Sequence, residues 1–361
     1  MTLSPDTARA WVDIDLAAVV ANARTVAAAA GVRLMPMVKA NGYGLGAVAV
    51  AGALEAVDPW GFGVATAEEG AALRTAGCRR PILVATPFVP AGKDELLAAD
   101  LRPSIGDLDG LRAWLATGDR PFHLEIDTGM SRAGIRWDDA PALQAVATEL
   151  GKRPGWEGIF THFHTAETDA GSVACQWERF EAALAALPRR PPLVHAANSA
   201  AALRGPAWSG DLVRPGIFLY GGEAGGAPPR PVASLRSRVV AVRSVPAGTT
   251  VSYGATWRAE RATTIATVAI GYADGWHRAA HVAGAPARMV ELGGAPVPVV
   301  GRVTMDMTMI VAARGASVGD VVTLFGGIVS LDAQARAAGT ISYELLTSLG
   351  ARLPRRYTGA A

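Results

Sequence analysis

The chain has 361 residues, 50% of them hydrophobic, and a formal net charge of +2. That length suits two domains with sizeable cores, and the balanced charge gives no field to draw in nucleic acid or anionic lipid. No run of about 18 uninterrupted apolar residues occurs, and the opening MTLSPDTARAWVDIDL lacks a basic segment followed by an apolar core. A cytoplasmic protein acting on small molecules, without nucleic-acid or membrane partners, is therefore expected. Cys78 and Cys175 have no metal-ligand spacing and are too few for a disulfide framework. Both are expected to be packing residues, and no metal site is expected.

From about residue 12 to 220, short apolar runs alternate with helical patterns, as successive βα units do. The stretch LAAVVANARTVAAAAG predicts a helix with Asp15 as N-cap and Gly31 as its stop. The strand RLMPMV follows, and Lys39 sits just past its end. GFGVA is the next strand, and Thr66-Ala67-Glu68-Glu69 reads as a capping box that opens a helix. PILVA, LRPSI, FHLEI, WEGIFTHF, PLVHAA and DLVRPGI bring the strands to about eight. Eight such units predict a closed (β/α)8 barrel of the TIM type, with chemistry gathered at the C-terminal ends of the strands.

After about residue 225 the texture changes. GGAPPRP reads as a linker, and the valine- and threonine-rich runs beyond it, broken by turns such as PAGT and LGGAP, predict a mainly β domain. ARMVELGGAPVPVV reads as a hairpin, GRVTMDMTMIVAA as a further strand region and SLDAQARAAG as a helix. The expected division is a segment 1–10 joining the β domain, a barrel over 11–225 and the β domain over 226–361.

The stretch VKANGYGLG places Lys39 at the end of an apolar run, among glycines. A lysine at a strand end in a barrel mouth is either a surface cation or an amine that forms a Schiff base. The second role needs desolvation or cationic neighbours, because a free lysine amine titrates near 10.4, and the apolar approach LMPMV would supply the desolvation.

VKANGYGLGA resembles the pyridoxal-phosphate lysine motif of the alanine racemases, fold-type III enzymes built from a barrel and a C-terminal β domain. EIDTGMSRAGI, GIFTHFHTAE, HAANSAA, LVRPGIFLYG, VSYGATW, AIGYADGW and GRVTMDM follow in that family's order, so the resemblance covers nearly the whole chain. It implies a pyridoxal 5'-phosphate enzyme interconverting L- and D-alanine, which supplies D-alanine for peptidoglycan. Lys39 would hold the cofactor and act as a base on one face of the α-carbon, with Tyr272 as the base on the other. The phosphate would be met by Tyr43, Asn198, Ser199, Gly216 and Ile217. Arg214 would face the pyridine nitrogen, where other pyridoxal enzymes place a carboxylate, and His162 would link Arg214 to the tyrosine. Arg132 would contact the ring oxygen and the substrate carboxylate, a task suited to a bidentate fork.

Three positions depart from the family pattern. Many members carry a lysine, carbamylated to an anion that positions the arginine, where this chain has Glu125. A glutamate supplies a fixed negative charge, and it is expected to orient Arg132 in the carbamate's place. Leu45 stands where histidine is common and Ala351 where some members have a phosphate-contacting tyrosine, so a change in cofactor affinity is expected. The resemblance also implies a head-to-tail homodimer in which Tyr272, Met305 and Asp306 enter the partner's site. A broader-range amino-acid racemase and a non-catalytic pyridoxal-phosphate carrier are the alternatives. A decarboxylase on this fold is disfavoured by Arg214, since it would pair the ring nitrogen with a carboxylate.

Overall fold

A computed structural model describes residues 7–151, 153–278, 288–312 and 315–359. Residues 1–6 of the expected N-terminal segment lie outside the described residues. The first helix, Leu16–Ala30, is bounded as its sequence predicts: the Asp15 side chain accepts from the Ala18 amide, and Gly31 ends it at φ +68°. Thr66 likewise caps Ala67–Thr75 by accepting from the Glu69 amide at 3.4 Å. The reciprocal half of the expected capping box is absent, because the Glu69 carboxylate accepts instead from the amides of Ala65 and Ala40.

Eight parallel strands form the barrel, each at one of the apolar runs read from the sequence. Six run in one continuous sheet in chain order: Phe62–Val64, Ile82–Pro87, Arg102–Ile105, Phe122–Asp127, Trp156–Phe160 and Leu193–His195. Arg33–Leu34 pairs with Leu212–Val213. The ring closes where the Val38 amide donates to the Gly63 carbonyl and the Asp211 amide to the Val194 carbonyl. Phe122, Leu124 and Ile126 alternate with His123 and Glu125 along one strand, so the apolar side chains share one face and the two polar ones the other.

The C-terminal domain is an antiparallel barrel closed by one long strand. Ala233–Val245 pairs through its first half with Val321–Phe325 and through its second with Thr263–Val268. Thr308–Val311, Ala295–Val300 and Met289–Leu292 complete the ring. The expected hairpin is present, turning at Gly293 and Gly294 with φ +61° and +78°, and the expected helix is Leu331–Ala337, capped by Ser330. Among the described residues of the expected strand region GRVTMDMTMIVAA, Thr308–Val311 forms the strand.

The first and last strands of the described residues both belong to this domain. Ala10–Asp15 lies antiparallel to Ala233–Val245 and parallel to Arg355–Thr358. Ala10–Asp15 is thus a strand of the C-terminal sheet, and the first barrel element is Leu16–Ala30. A further helix, Ser342–Thr347, packs on the lysine segment: a Cβ at Gly44 would fall 2.3 Å from the Leu346 carbonyl oxygen. Cys78 is half-buried against the core, whereas Cys175 is exposed on the helix Ala170–Ala185, so the packing expectation fails for it. Among the described residues, no helix is long and apolar enough to cross a membrane.

Candidate active site

The glycines after Lys39 are explained by the backbone. Residues 40 to 44 all have positive φ, at +52°, +53°, +62°, +53° and +82°, which makes a single left-handed turn. That conformation costs about 1–2 kcal/mol for each non-glycine residue, so Ala40, Asn41 and Tyr43 must be held in it. The Glu69 carboxylate accepts from the Ala40 amide at 2.6 Å, and the Asn41 side chain accepts from the Ala47 amide at 3.0 Å. From the C-terminal domain, Arg355 donates to the Gly44 carbonyl and the Tyr357 hydroxyl to the Leu45 carbonyl. The turn reverses the chain immediately past Lys39, leaving the lysine at the edge of a cavity of about 390 Å3, a size typical of small-molecule sites. Burial lowers the Lys39 pKa, and the Arg132 and Arg214 cations lower it further against an opposing pull from Glu69. Both effects favour the free amine a Schiff base requires.

Opposite the lysine, the strand ends build a cradle of hydroxyls and close-packed backbone. Tyr43, Asn198, Ser199, Gly216 and Ile217 all line the cavity. Ser199 Oγ accepts from the Gly216 amide at 2.8 Å. A Cβ at position 216 would fall 2.2 Å from Tyr43 Oη, so the glycine is what admits the tyrosine hydroxyl. The Tyr43 ring stacks on Tyr220 at 4.4 Å, and Tyr220 is anchored by donating to the Met37 carbonyl at 2.8 Å. Asn198 caps the helix Ser199–Leu203 through the Ala201 amide. Hydroxyls and backbone amides of this kind suit a phosphate, and Lys39 lines the same cavity.

Arg214, buried, occupies the cavity floor, where its NH2 donates to the carbonyls of Thr161 at 2.7 Å and Ala196 at 3.0 Å. Burial lowers its pKa to about 10, so the guanidinium stays charged at neutral pH. His162 Nδ1 lies 3.2 Å from the same NH2 and accepts from it. Burial and the adjacent arginine bring the His162 pKa to about 3. The imidazole is therefore neutral, with its proton on Nε2.

Glu125 and Arg132 line the same cavity, but no hydrogen bond joins them among the described residues. Glu125 Oε2 is buried without a partner, and burial raises the carboxyl pKa against the lowering pull of Arg132 and Arg214. The loop carrying Arg132 is fixed by Asp127 Oδ1, which accepts from the amides of Gly129 and Ser131.

Tyr272, Met305 and Asp306 do not line this cavity. They sit together on the C-terminal domain, where the Tyr272 amide donates to the Thr304 carbonyl and Ala273 to that of Met305. Tyr272 is 42% and Met305 54% exposed. The turn beneath them is rigid: buried Asp274 accepts from the Gly271 amide and from Arg9 and Arg352, and Arg352 also reaches Asp306.

Leu45 is fully buried and Ala351 exposed, and neither lines the cavity. Neither position therefore meets the cavity directly, and the Leu45 carbonyl accepts from the Tyr357 hydroxyl. Sequence reasoning missed Tyr343 and Thr347, which bring the helix Ser342–Thr347 into the cavity wall, with the Tyr343 ring 6.1 Å from that of Tyr43. A six-residue helix carries no periodic signal. The aromatic in ISYELLTS was the available cue.

Residues 14–224 match the family model described as alanine racemase, N-terminal domain, and residues 232–357 that described as alanine racemase, C-terminal domain. The chain is 38% identical to an alanine racemase of Rhizobium meliloti, with 96% of each chain covered. The crystal structure of alanine racemase from E. faecalis superimposes with a TM-score of 0.89 at 36% identity, covering 99% of this chain and 100% of that one. That of the Bartonella henselae enzyme, with covalently bound pyridoxal phosphate, gives 0.89 at 31% identity over 97% of this chain and 100% of that one. On the strength of both domain matches and these full-length likenesses, this chain belongs to the alanine racemase family.

Proposed function

We propose that Lys39 and Tyr272 of the partner subunit are the two bases of this racemase, working on opposite faces of an alanine α-carbon in a site completed by two chains. The activity is alanine racemisation, as in the relatives, and it would supply D-alanine for peptidoglycan. Pyridoxal phosphate, when bound, supplies the electron sink that makes the α-proton acidic. Lys39 holds it, and Tyr43, Ser199 and the backbone at Gly216 and Ile217 receive its phosphate. The observation that carries this reading is the meeting of a pKa-lowered lysine, the glycine-made phosphate cradle and a charged arginine in one cavity.

The remaining residues then have definite tasks. Lys39 in its amine form takes or returns the α-proton from its own face. Arg214 offers only donors and keeps its charge, so it disfavours a second positive charge at the ring nitrogen, which limits side reactions. His162, with Nδ1 occupied by Arg214, keeps an Nε2–H donor for the phenolic oxygen of the second base. Arg132 receives the substrate carboxylate, and Glu125 orients it through charge. Tyr272, Met305 and Asp306 stand exposed on a rigid turn, which suits their insertion into a second copy in a twofold dimer.

Incubating cofactor-loaded protein with L-alanine in deuterated buffer, with proton NMR and chiral analysis of one sample, tests the reading. Loss of the α-proton signal with accumulating D-alanine is expected. Exchange that yields no D-alanine would eliminate the second base, and absence of exchange would eliminate the racemase reading altogether.

A further inference from the structure

Beneath Arg214, a row of polar side chains descends through the barrel interior, where branched aliphatic residues are usual. Arg214 NH1 lies 2.7 Å from His195 Nδ1, His195 Nε2 lies 2.7 Å from His123 Nδ1, and His123 Nε2 lies 3.2 Å from Glu157 Oε2. The Nε of Arg102 donates to that same oxygen at 3.2 Å. We infer that His195, His123 and Glu157 form a one-way donor chain that holds Arg214 in place, so that all three are positioning residues for the reaction. The inference rests on the racemase reading, since it concerns the arginine assigned to the cofactor ring.

The direction follows from donor inventory. A guanidinium only donates, so His195 Nδ1 must carry a lone pair and its proton must sit on Nε2. That Nε2–H donates to His123, whose Nδ1 must then also accept, which places the second proton on Nε2, facing the Glu157 carboxylate. A single assignment, both histidines neutral and protonated on Nε2, gives every link one donor and one acceptor. An imidazolium at position 195 would oppose N–H to N–H at 2.7 Å on the Arg214 side. Burial lowers both histidine pKa values in the same sense, and the adjacent Arg214 cation adds to this.

The packing is specific to these rings. A Cβ on Gly158 would fall 2.5 Å from His123 Nδ1, so glycine at that strand position makes the room. Phe160 stacks on His195 at 5.2 Å with a 10° interplanar angle, and the Arg214 guanidinium lies over the same phenyl ring at 5.1 Å. Trp60 packs against His123. Buried polar groups in such numbers are costly unless every one is satisfied, and here each nitrogen of both rings has a partner. The arrangement hands part of the Glu157 charge to Arg214 through two neutral rings. Arg214 gains a polarised acceptor and remains free of a carboxylate that would compete for its face towards the cavity.

The test uses the 15N-labelled, cofactor-loaded protein near neutral pH and long-range 1H–15N spectra of its six histidines, with His123→Gln and His195→Phe to assign the two signals. Both rings should show the Nε2–H pattern. Should those variants not fold, Glu157→Gln, at a side chain 24% exposed rather than fully buried, gives a second readout. Its carboxamide oxygen is a neutral and weaker acceptor for His123 Nε2–H, so the charge at the foot of the chain is lost: kcat should fall about tenfold, KM for alanine should change less than about twofold, and the visible absorption of the bound cofactor should shift. An Nδ1–H or doubly protonated ring at 123 or 195 would overturn the inference. So would a Glu157→Gln enzyme with unchanged kcat and spectrum. Racemisation by the unaltered sample, measured alongside, separates failure of the chain from failure of the racemase reading.

Discussion

The barrel mouth and the Tyr272 turn are equally rigid but differently finished. At the mouth, Lys39, Tyr43, Ser199 and Arg214 converge on one cavity, and Arg214 has all of its named acceptors within the same chain. At the turn, Asp274 and two arginines fix the backbone, yet Tyr272 and Met305 stand exposed and outside the cavity. On the proposed reading, the difference teaches that one chain carries the cofactor site and the second base on separate surfaces, with Tyr272 outside the cavity that Lys39 lines.

Removing either base should have the largest effect. Lys39→Ala should abolish covalent cofactor attachment and lower kcat by at least about 10^3-fold, and Tyr272→Phe should cost about 10^2- to 10^4-fold. The two should differ in spectrum: only Lys39→Ala should lose the visible absorption of the bound cofactor. Since Tyr272 is exposed, its variant should melt within about 1 °C of the parent. Near-parental turnover by Tyr272→Phe would remove that residue from the chemistry and leave the comparison without its second half.

Mixing the two inactive proteins tests the separation itself. If subunits reassort freely into dimers, half are mixed and each mixed dimer has one intact site of two. Activity should therefore recover to about a quarter of the parental value. No recovery after demonstrated subunit exchange would mean that both bases come from one chain.

How much of this was legible in the sequence depended on whether a feature was local. The eight barrel strands were readable because each is a short apolar run between turn signals, and the Asp15 and Thr66 caps because capping acts within three residues. The chain from Arg214 to Glu157 was not readable, although FHLEI and PLVHAA display its histidines. His123 and His195 are 72 residues apart and meet only because their strands flank Trp156–Phe160 on either side, where Gly158 leaves room for the His123 ring. The left-handed turn was half-legible: the glycines announced positive φ, but nothing announced it at Ala40, Asn41 and Tyr43, where contacts from Glu69, Arg355 and Tyr357 impose it.

Within the finished half, Gly216→Ala should act on cofactor affinity. The added methyl would sit 2.2 Å from Tyr43 Oη, which forces the hydroxyl out of the cradle. Cofactor dissociation, followed by dialysis and absorbance, should be about 10- to 100-fold more favourable, while kcat at saturating cofactor should fall much less. Unchanged retention of cofactor would mean that the phosphate is held elsewhere.

Glu125 gives the smallest effect and the sharpest sign. Its Oε2 is buried without a partner and its pKa is raised by burial, so the folded protein binds this proton more tightly than the unfolded chain does. Stability that this group contributes is fully present below the unfolded pKa and is lost as pH rises from there through the raised folded value. Glu125→Gln removes that loss. The variant should therefore melt about 1–3 °C higher than the parent at pH 8 and equal to it in acid, where the parent's carboxyl is already protonated. Its KM for alanine should rise about five- to tenfold at pH 8, because Arg132 loses the charge that orients it, and the parent's own rise in KM on acidification should disappear. A variant that gains stability without losing substrate affinity would show that the charge at 125 is tolerated by the barrel mouth and unused by it.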